Sequence, residues 1–215
     1  MFEKIKTIIF DLDGTLIDSS RGVIAATNYA LESLGVEARS DDEIKGYIGH
    51  PLDEMFPAFC DKPLTELKAK FQEKARDTVV ASAIALAGVD ETLRSIKKAG
   101  YTMGIATTKF SHHTKGTIDK LGWREIFMAL TSGDEVEHVK PAPDIILLAM
   151  KRLGAKPEET IMVGDTVNDI KAAQEACIKV IAVRSPFGND DLGKYSPDIL
   201  LDSFSELTRI LSIEK

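Results

Sequence analysis

Residues 7–15 read TIIFDLDGT and place two closely spaced carboxylates after a short apolar run. The β-branched run, bounded by charge, is typical of a buried β-strand. Side chains alternate along a strand, so Asp11 and Asp13 are expected to point the same way. Gly14 then permits a sharp turn. The two carboxylates repel each other, and a bound cation would offset this most simply; a strand-ending turn with no ligand is the alternative.

Strand-like and helical segments alternate from about residue 88 to the end of the chain. This alternation predicts βαβ units and an α/β fold with a Rossmann-like parallel sheet covered on both faces. The apolar runs predict strands after the first one at 101–107, 127–131, 160–163, 178–183 and 198–201. Helical spacing is found at 89–99, 111–121, 143–153, 167–176 and 203–211.

The segment from residue 19 to about residue 85 breaks this alternation. It has Leu and Ala at helical spacing, contains no convincing strand, and is broken at Gly35, 46–51 and 57–63. We therefore predict two domains. Residues 1–15 and 86–215 form the α/β core, and residues 16–85 form an inserted helical domain.

Composition narrows the class of partner. The chain has 215 residues, is 44% hydrophobic and carries a formal net charge of -7, which argues against a nucleic-acid backbone as the main partner. No apolar stretch is long enough to span a membrane, and the first residues lack an apolar signal region. We expect a cytoplasmic protein.

Cys60 and Cys177 are far apart, so a zinc site is not expected, and each is interpreted as a buried apolar residue.

Three further polar signals follow predicted strands, at the sheet edge where open α/β sheets bind ligands. Thr107 ends a strand and could donate to a phosphate oxygen, although threonine is common there. Lys140 precedes a helix and could neutralise an anion, or it could be solvated. Asp165 and Asp169 lie within GDTVND, residues 164–169. Carboxylates suit Mg²⁺, whereas capping of the next helix is the alternative.

These signals, taken in order, resemble the motifs of the haloacid dehalogenase superfamily of phosphohydrolases. DLDGT at 11–15, Thr107, Lys140 and GDTVND at 164–169 carry the resemblance. The insertion resembles the helical cap of the subgroup that includes phosphoglycolate phosphatases and β-phosphoglucomutases. The resemblance implies a core that holds the chemistry and a cap that closes over it.

The resemblance also implies roles for individual residues. Asp11 would attack phosphorus and form an aspartyl phosphate, and Asp13 would protonate the leaving oxygen and later activate water. Thr107 would hold the phosphoryl group, and Lys140 would pair with both the phosphate and Asp11. The expected substrate contacts are Leu12 and Thr108 through the backbone, with His50 of the segment 46–56, which resembles the cap loop that faces the substrate. A solvated turn histidine before Pro51 is the alternative for His50. The expected Mg²⁺ ligands are Asp11, Asp13 (through its carbonyl), Asp165 and, directly or through water, Asp169.

The expected reaction is Mg²⁺-dependent hydrolysis of a small phosphorylated metabolite, with phosphoglycolate as the first candidate substrate. Pyrophosphate or a nucleotide is the alternative, followed by a phosphomutase and a non-catalytic module. Thr108 replaces the Asn that these phosphatases often carry, and Cys177 replaces the Gly that usually follows the helix. We expect no nucleic-acid or membrane partner, and either a monomer or a homodimer.

Overall fold

The computed structural model describes residues 4–187 and 191–213. Residues 1–3, 188–190 and 214–215, which belong to the predicted core domain, lie outside the described residues. Within them, eight strands are numbered in chain order: β1 (Thr7–Phe10), β2 (Ile17–Asp18), β3 (Ile84–Ala85), β4 (Thr102–Thr107), β5 (Ala129–Ser132), β6 (Thr160–Gly164), β7 (Lys179–Val183) and β8 (Ile199–Leu201). The helices are α1 (Ser20–Ser33), α2 (Asp41–Lys45), α3 (Leu52–Phe59), α4 (Leu64–Ser82), α5 (Val89–Lys98), α6 (Ser111–Lys120), α7 (Asp144–Leu153), α8 (Val167–Glu175) and α9 (Leu207–Ile210), with short 3₁₀ turns between some elements.

Six strands form one parallel sheet in the order β5-β4-β1-β6-β7-β8. The chain runs outward from β1 through β4 and β5, and then returns to the other side of β1 for β6, β7 and β8. Ligands of open α/β sheets bind where the strand order reverses in this way. The predicted α/β fold with a Rossmann-like parallel sheet is confirmed.

The central strand β1 is buried along its whole length because apolar clusters cover both faces of the sheet. Ile8 and Phe10 belong to one cluster, whereas Ile9 belongs to the cluster on the opposite face. This alternation follows from the pleat of the strand. It also explains why the strand reads as a continuous apolar run.

The four helices α1 to α4 pack around an apolar cluster of their own, which includes Leu31, Met55, Phe56 and Phe71. The chain enters this helical unit through β2 and leaves it through β3, and the two strands pair antiparallel. The expectation of no strand between residues 19 and 85 is therefore wrong for Ile84–Ala85. Two residues are too short for a sequence pattern to reveal. The division into a core and a cap stays a prediction.

The cysteine interpretation also needs correction. Cys60 is partly exposed and Cys177 is exposed. Cys177 follows α8 with a φ of 56°, the left-handed conformation that favours glycine at the end of a helix. The turn therefore sets the position of this side chain outside the core. No helix in the described part of the chain is both long enough and apolar enough to cross a membrane.

Candidate active site

The predicted site residues converge at the carboxyl edge of the sheet. Asp11 follows β1 directly, Thr107 is the last residue of β4, and Asp165 follows β6. Since β1 lies between β4 and β6, the ends of these three strands are neighbours. Asp11, Thr107 and Asp165 are all buried. Sequence-distant residues are therefore brought together where the strand order reverses.

Lys140 joins two of the carboxylates. Its Nζ lies 2.5 Å from Asp11 Oδ1 and 2.6 Å from Asp169 Oδ1, and it donates to the Ala106 carbonyl at 3.0 Å. The side chain is 1% exposed. The alternative of a solvated lysine is therefore wrong. A buried ammonium group is stable only when such partners compensate its desolvation.

The segment after β6 presents two carboxylates to the site. Asp165 accepts a hydrogen bond from Thr15 Oγ1 at 2.6 Å. Asp169 lies in the first turn of α8, and its Oδ2 accepts from the backbone N and Oγ1 of Thr166 at 3.0 Å and 2.7 Å. Thr166 caps the helix in return by accepting from the Asp169 amide at 3.2 Å. Helix capping and a role at the site therefore coexist.

Gly14 allows the first motif to approach Asp165 closely. Its φ is +88°, and a Cβ at this position would lie 2.2 Å from Asp165 Oδ2. A side chain is excluded both by the backbone conformation and by the contact. The turn after β1 therefore places residues 11–15 directly against the carboxylate of Asp165.

The buried charges perturb one another. Burial raises the pKa of Asp11 to about 7, against the opposing attraction of Lys140. Burial, with repulsion from Asp11 and Asp169, raises the pKa of Asp165 well above its usual range. Burial alone would lower the pKa of Lys140, but the carboxylates of Asp11 and Asp169 outweigh it and raise that pKa. The positive charge of Lys140 therefore does not fully balance the negative charges of Asp11, Asp165 and Asp169.

Asp11, Asp165 and Asp169 fit a metal site. Each offers a carboxylate oxygen, and these oxygens lie within 4.8 Å of one another. Asp11 Oδ2 is buried and has no hydrogen-bond partner within the described part of the chain. Three carboxylates against one ammonium leave two negative charges, which a divalent cation would neutralise. Both oxygens of Asp169 already accept hydrogen bonds from the protein, which suits contact with an ion through water.

Asp13 has different partners from the other carboxylates. Lys109 Nζ lies 2.7 Å from Asp13 Oδ1 and 2.8 Å from Oδ2, and Ser19 Oγ also donates to Oδ1. Both side chains of the ion pair are at most 10% exposed. We did not predict Lys109 or Ser19 as site residues. Lys109 carried a signal, since it follows Thr107 and Thr108 at the end of β4; Ser19, at the start of α1, carried none.

The remaining predicted residues lie around this centre. Thr107 Oγ1 accepts from the Lys109 amide at 3.3 Å, and Leu12, within the first motif, is fully buried. Thr108 Oγ1 donates to the carbonyl of Gly49 in the cap loop at 3.3 Å. His50 Nδ1 lies 3.4 Å from Asn168 Nδ2 and 2.9 Å from Glu54 Oε2. The cap loop therefore contacts two of the core segments that form the site.

Buried carboxylates and a lysine therefore meet at the switch point of a parallel α/β sheet, which is where sheets of this kind bind ligands. The chain belongs to the haloacid dehalogenase-like hydrolase family, whose pattern matches residues 8–183. The resemblance seen in the sequence and the prediction of a hydrolase are thus confirmed.

Individual relatives agree with this assignment. The chain is 35% identical to the pyrophosphatase PpaX of Bacillus cereus (strain AH820), over 97% of both chains. It resembles the structure of a haloacid dehalogenase-like family hydrolase from Streptococcus pneumoniae, with a TM-score of 0.88, 27% identity and coverage of 97% of this chain and 99% of that one. The structure of CbbY from Rhodobacter sphaeroides in complex with phosphate gives a TM-score of 0.77, 26% identity and coverage of 94% and 96%.

Proposed function

We propose that this protein is a Mg²⁺-dependent phosphatase that hydrolyses a small phosphorylated metabolite through an aspartyl phosphate on Asp11. One observation carries the proposal. Lys140 bridges Asp11 and Asp169 inside a buried cluster that also contains Asp165. A lysine beside a carboxylate nucleophile suits phosphoryl transfer, because the reaction depends on positioning and charge neutralisation.

The nucleophile in this proposal is Asp11. Lys140 fixes one carboxylate oxygen, and the other oxygen has no protein donor in the described residues. As the bond from Asp11 to phosphorus forms, the bond to the leaving oxygen breaks, and Asp13 donates a proton to that oxygen. For this step Asp13 must have taken up a proton and given up one of its contacts with Lys109. Asp13 then takes a proton from the water that attacks the aspartyl phosphate, which restores the Asp11 carboxylate and releases inorganic phosphate.

Phosphoryl oxygens would be held by groups at the ends of β1 and β4. The Thr107 hydroxyl accepts from the Lys109 amide, so its own proton can be donated to an oxygen of the phosphoryl group. Backbone amides around Leu12, Asp13 and Thr108 would add further donors, and Lys140 would supply positive charge. Thr107 and Lys140 are both buried, so the surrounding protein fixes their positions before a substrate binds.

Asp11, Asp165 and the Asp13 carbonyl would hold Mg²⁺, with Asp169 in contact through water. When bound, Mg²⁺ would neutralise charge and orient the phosphoryl group. The cap loop, with Gly49 against Thr108, would exclude water during transfer.

We propose two candidate substrates. Phosphoglycolate is the first candidate, by resemblance of the motifs. Pyrophosphate is the second, because the Bacillus cereus relative of similar length carries the name of a pyrophosphatase. We also propose that the protein is cytoplasmic, that it has no nucleic-acid or membrane partner, and that it is a monomer or a homodimer.

The test measures inorganic phosphate released from para-nitrophenyl phosphate, phosphoglycolate and pyrophosphate with and without Mg²⁺. The wild type should release phosphate from at least one of them in a Mg²⁺-dependent reaction, and Asp11→Asn should lose that turnover. Asp202→Asn is the matched control, since its side chain is 87% exposed. Near-normal turnover by Asp11→Asn would overturn the nucleophile assignment.

A further inference from the structure

The principal packing contact between the cap helices and the core joins α4 to α6. Gly116 of α6 permits a close approach, because a Cβ at this position would lie 3.1 Å from Cγ2 of Val80 in α4. Val79 of α4 and His113 of α6 also line a cavity of about 300 Å³ between the cap and the core. The orientation of α4 on α6 therefore affects the width of this cavity.

Lys120, the last residue of α6, bonds to the end of α4. Its Nζ donates to the carbonyl of Ala81 at 2.6 Å and to the carbonyl of Ala83 at 2.8 Å. Ala81 lies in the last turn of α4, and Ala83 follows that helix directly. Carbonyl groups at the end of a helix have no partner within the helix, and a nearby cation also interacts favourably with the helix dipole. One ammonium group of the core thus binds both the last turn of α4 and the link that follows it.

The two carbonyls lie on either side of the point where the chain leaves the cap. Ala83 is buried and precedes β3, which pairs with β2, and the Leu86 amide donates to the Leu16 carbonyl at 3.0 Å. A rotation of α4 relative to β3 would move the Ala81 carbonyl relative to the Ala83 carbonyl. Since Lys120 bonds to both, such a rotation would lengthen at least one of these bonds.

The contacts that the cap loop makes with the core are longer. Thr108 Oγ1 lies 3.3 Å from the Gly49 carbonyl, and Asn168 Nδ2 lies 3.4 Å from His50 Nδ1. Both distances exceed those of typical hydrogen bonds. The contacts of Lys120 are shorter and have a charged donor, which strengthens a hydrogen bond.

We propose that Lys120 is a positioning residue that fixes the orientation of the cap on the core. Its kinetic consequence rests on the proposed function, in which the cap loop excludes water during transfer. Without the ammonium group, α4 can rotate about its link to β3, and the orientation that binds substrate becomes a smaller fraction of the molecules. The apparent affinity for substrate falls in proportion to that fraction, whereas turnover of the bound complex changes little.

The first measurement follows the orientation of the cap directly and needs no substrate. Nitroxide labels are placed on the exposed Cys177 of the core and on Lys62→Cys, an exposed position of the cap, in a Cys60→Ser background. Double electron–electron resonance gives the distances between the labels. With Lys120 present the distribution should be narrow, and Lys120→Met should broaden it or add a second distance. Lys120→Arg should restore the narrow distribution, because a guanidinium group carries enough donors for both carbonyls.

The second measurement is steady-state kinetics with para-nitrophenyl phosphate and Mg²⁺, well below the melting temperature. Lys120→Met should raise KM by about three- to tenfold, with kcat within about twofold of the wild type. Lys120→Gln, which keeps a shorter and uncharged donor, should lie between the two. Lys115→Met is the matched control, because Lys115 is exposed on the same helix. A lysine that only stabilised the end of α4 would affect the melting temperature and leave KM and the label distances unchanged.

Two results would overturn the inference. One is a distance distribution for Lys120→Met that matches that of the labelled protein with Lys120. The other is an unchanged KM in a folded Lys120→Met protein. An absence of Mg²⁺-dependent phosphate release by the wild type would instead remove the proposed function, and the label distances would then decide alone whether Lys120 orients the cap.

Discussion

Lys109 and Asp13 form a bidentate ion pair, with the lysine Nζ 2.7 Å and 2.8 Å from the two carboxylate oxygens. Ser19 donates to the same carboxylate. The pair connects the end of β4 to the turn after β1, and it fixes the rotamer of the residue proposed to move protons. Lys109 is therefore a positioning residue for Asp13.

The variant Lys109→Met tests this role. Without the ammonium group, Asp13 keeps its bond to Ser19 but loses the contacts that hold both oxygens, so kcat should fall by about 10²-fold with a smaller change in KM. Steady-state kinetics with para-nitrophenyl phosphate and Mg²⁺ measure the two constants. Lys109→Arg should retain more of kcat, and Lys115→Met, on the exposed face of α6, should behave as the wild type. A rise in KM at constant kcat would instead assign Lys109 to substrate binding.

Asp169→Asn should affect both stability and turnover. The carboxylate accepts from Lys140 with one oxygen and from Thr166 with the other. An asparagine can satisfy one of these donors, and its NH₂ group would then face the other. The free energy of unfolding should therefore fall by about 1–3 kcal/mol, and Lys140 should lose its fixed position. Thermal unfolding and phosphate release measure the two effects, with Asp202→Asn as the control; an unchanged melting temperature would contradict the bridging role.

The fold was predictable because the strands of the sheet are short apolar runs and the neighbouring strands β1, β4 and β6 end at polar signals. The TIIF run of β1 and the later apolar runs mark buried strands by their short length and β-branched residues, whereas the segments between them carry the 3.6-residue spacing of helices. Asp11, Lys140 and Asp165 could be placed together because parallel strands end at one edge of the sheet. No side-chain detail was needed for these steps.

The partners of individual side chains were not predictable. The contact of Lys109 with Asp13 spans 96 positions and depends on how the turn after β4 meets the turn after β1. The contact of His50 with Asn168 spans 118 positions and depends on how the cap loop meets the start of α8. The exposure of Cys177 was missed because it depends on a left-handed turn after α8. Local pattern specifies elements, whereas these contacts arise from tertiary packing.

Ca²⁺ should compete with Mg²⁺ without supporting turnover. The proposed ligands Asp11 and Asp165 are buried and held by Lys140 and Thr15, so they form a small and rigid set of oxygens. Ca²⁺ takes more ligands at longer distances than Mg²⁺, which would displace the Asp11 oxygen from phosphorus. Activity measured against Ca²⁺ at fixed Mg²⁺ should decline, and Asp165→Asn should weaken the stabilisation by Mg²⁺ in thermal unfolding. Full activity with Ca²⁺ alone would contradict this geometry.

The burial of His113 should make the protein less stable in mild acid. Its pKa lies at about 4 in the folded state, against 6.5 ordinarily, because burial and the nearby His112 and Lys109 outweigh the carboxylates of Asp13 and Asp134. Below pH 6.5 the unfolded chain binds a proton that the folded ring does not. Stability from this group is therefore complete above pH 6.5 and is lost as the pH falls toward 4.

Between pH 7 and about pH 5, protonation of His113 in the unfolded chain should lower the free energy of unfolding by about 1–2 kcal/mol, a range that includes partial screening by solvent. Urea unfolding of the metal-free protein at each pH measures the loss. His113→Phe carries no such proton, so its stability should decline less than that of the wild type over the same interval. His138→Phe, at an exposed position outside α6, should follow the wild type. Parallel curves for the wild type and His113→Phe would show that His113 is hydrated and accepts its proton while the protein is folded.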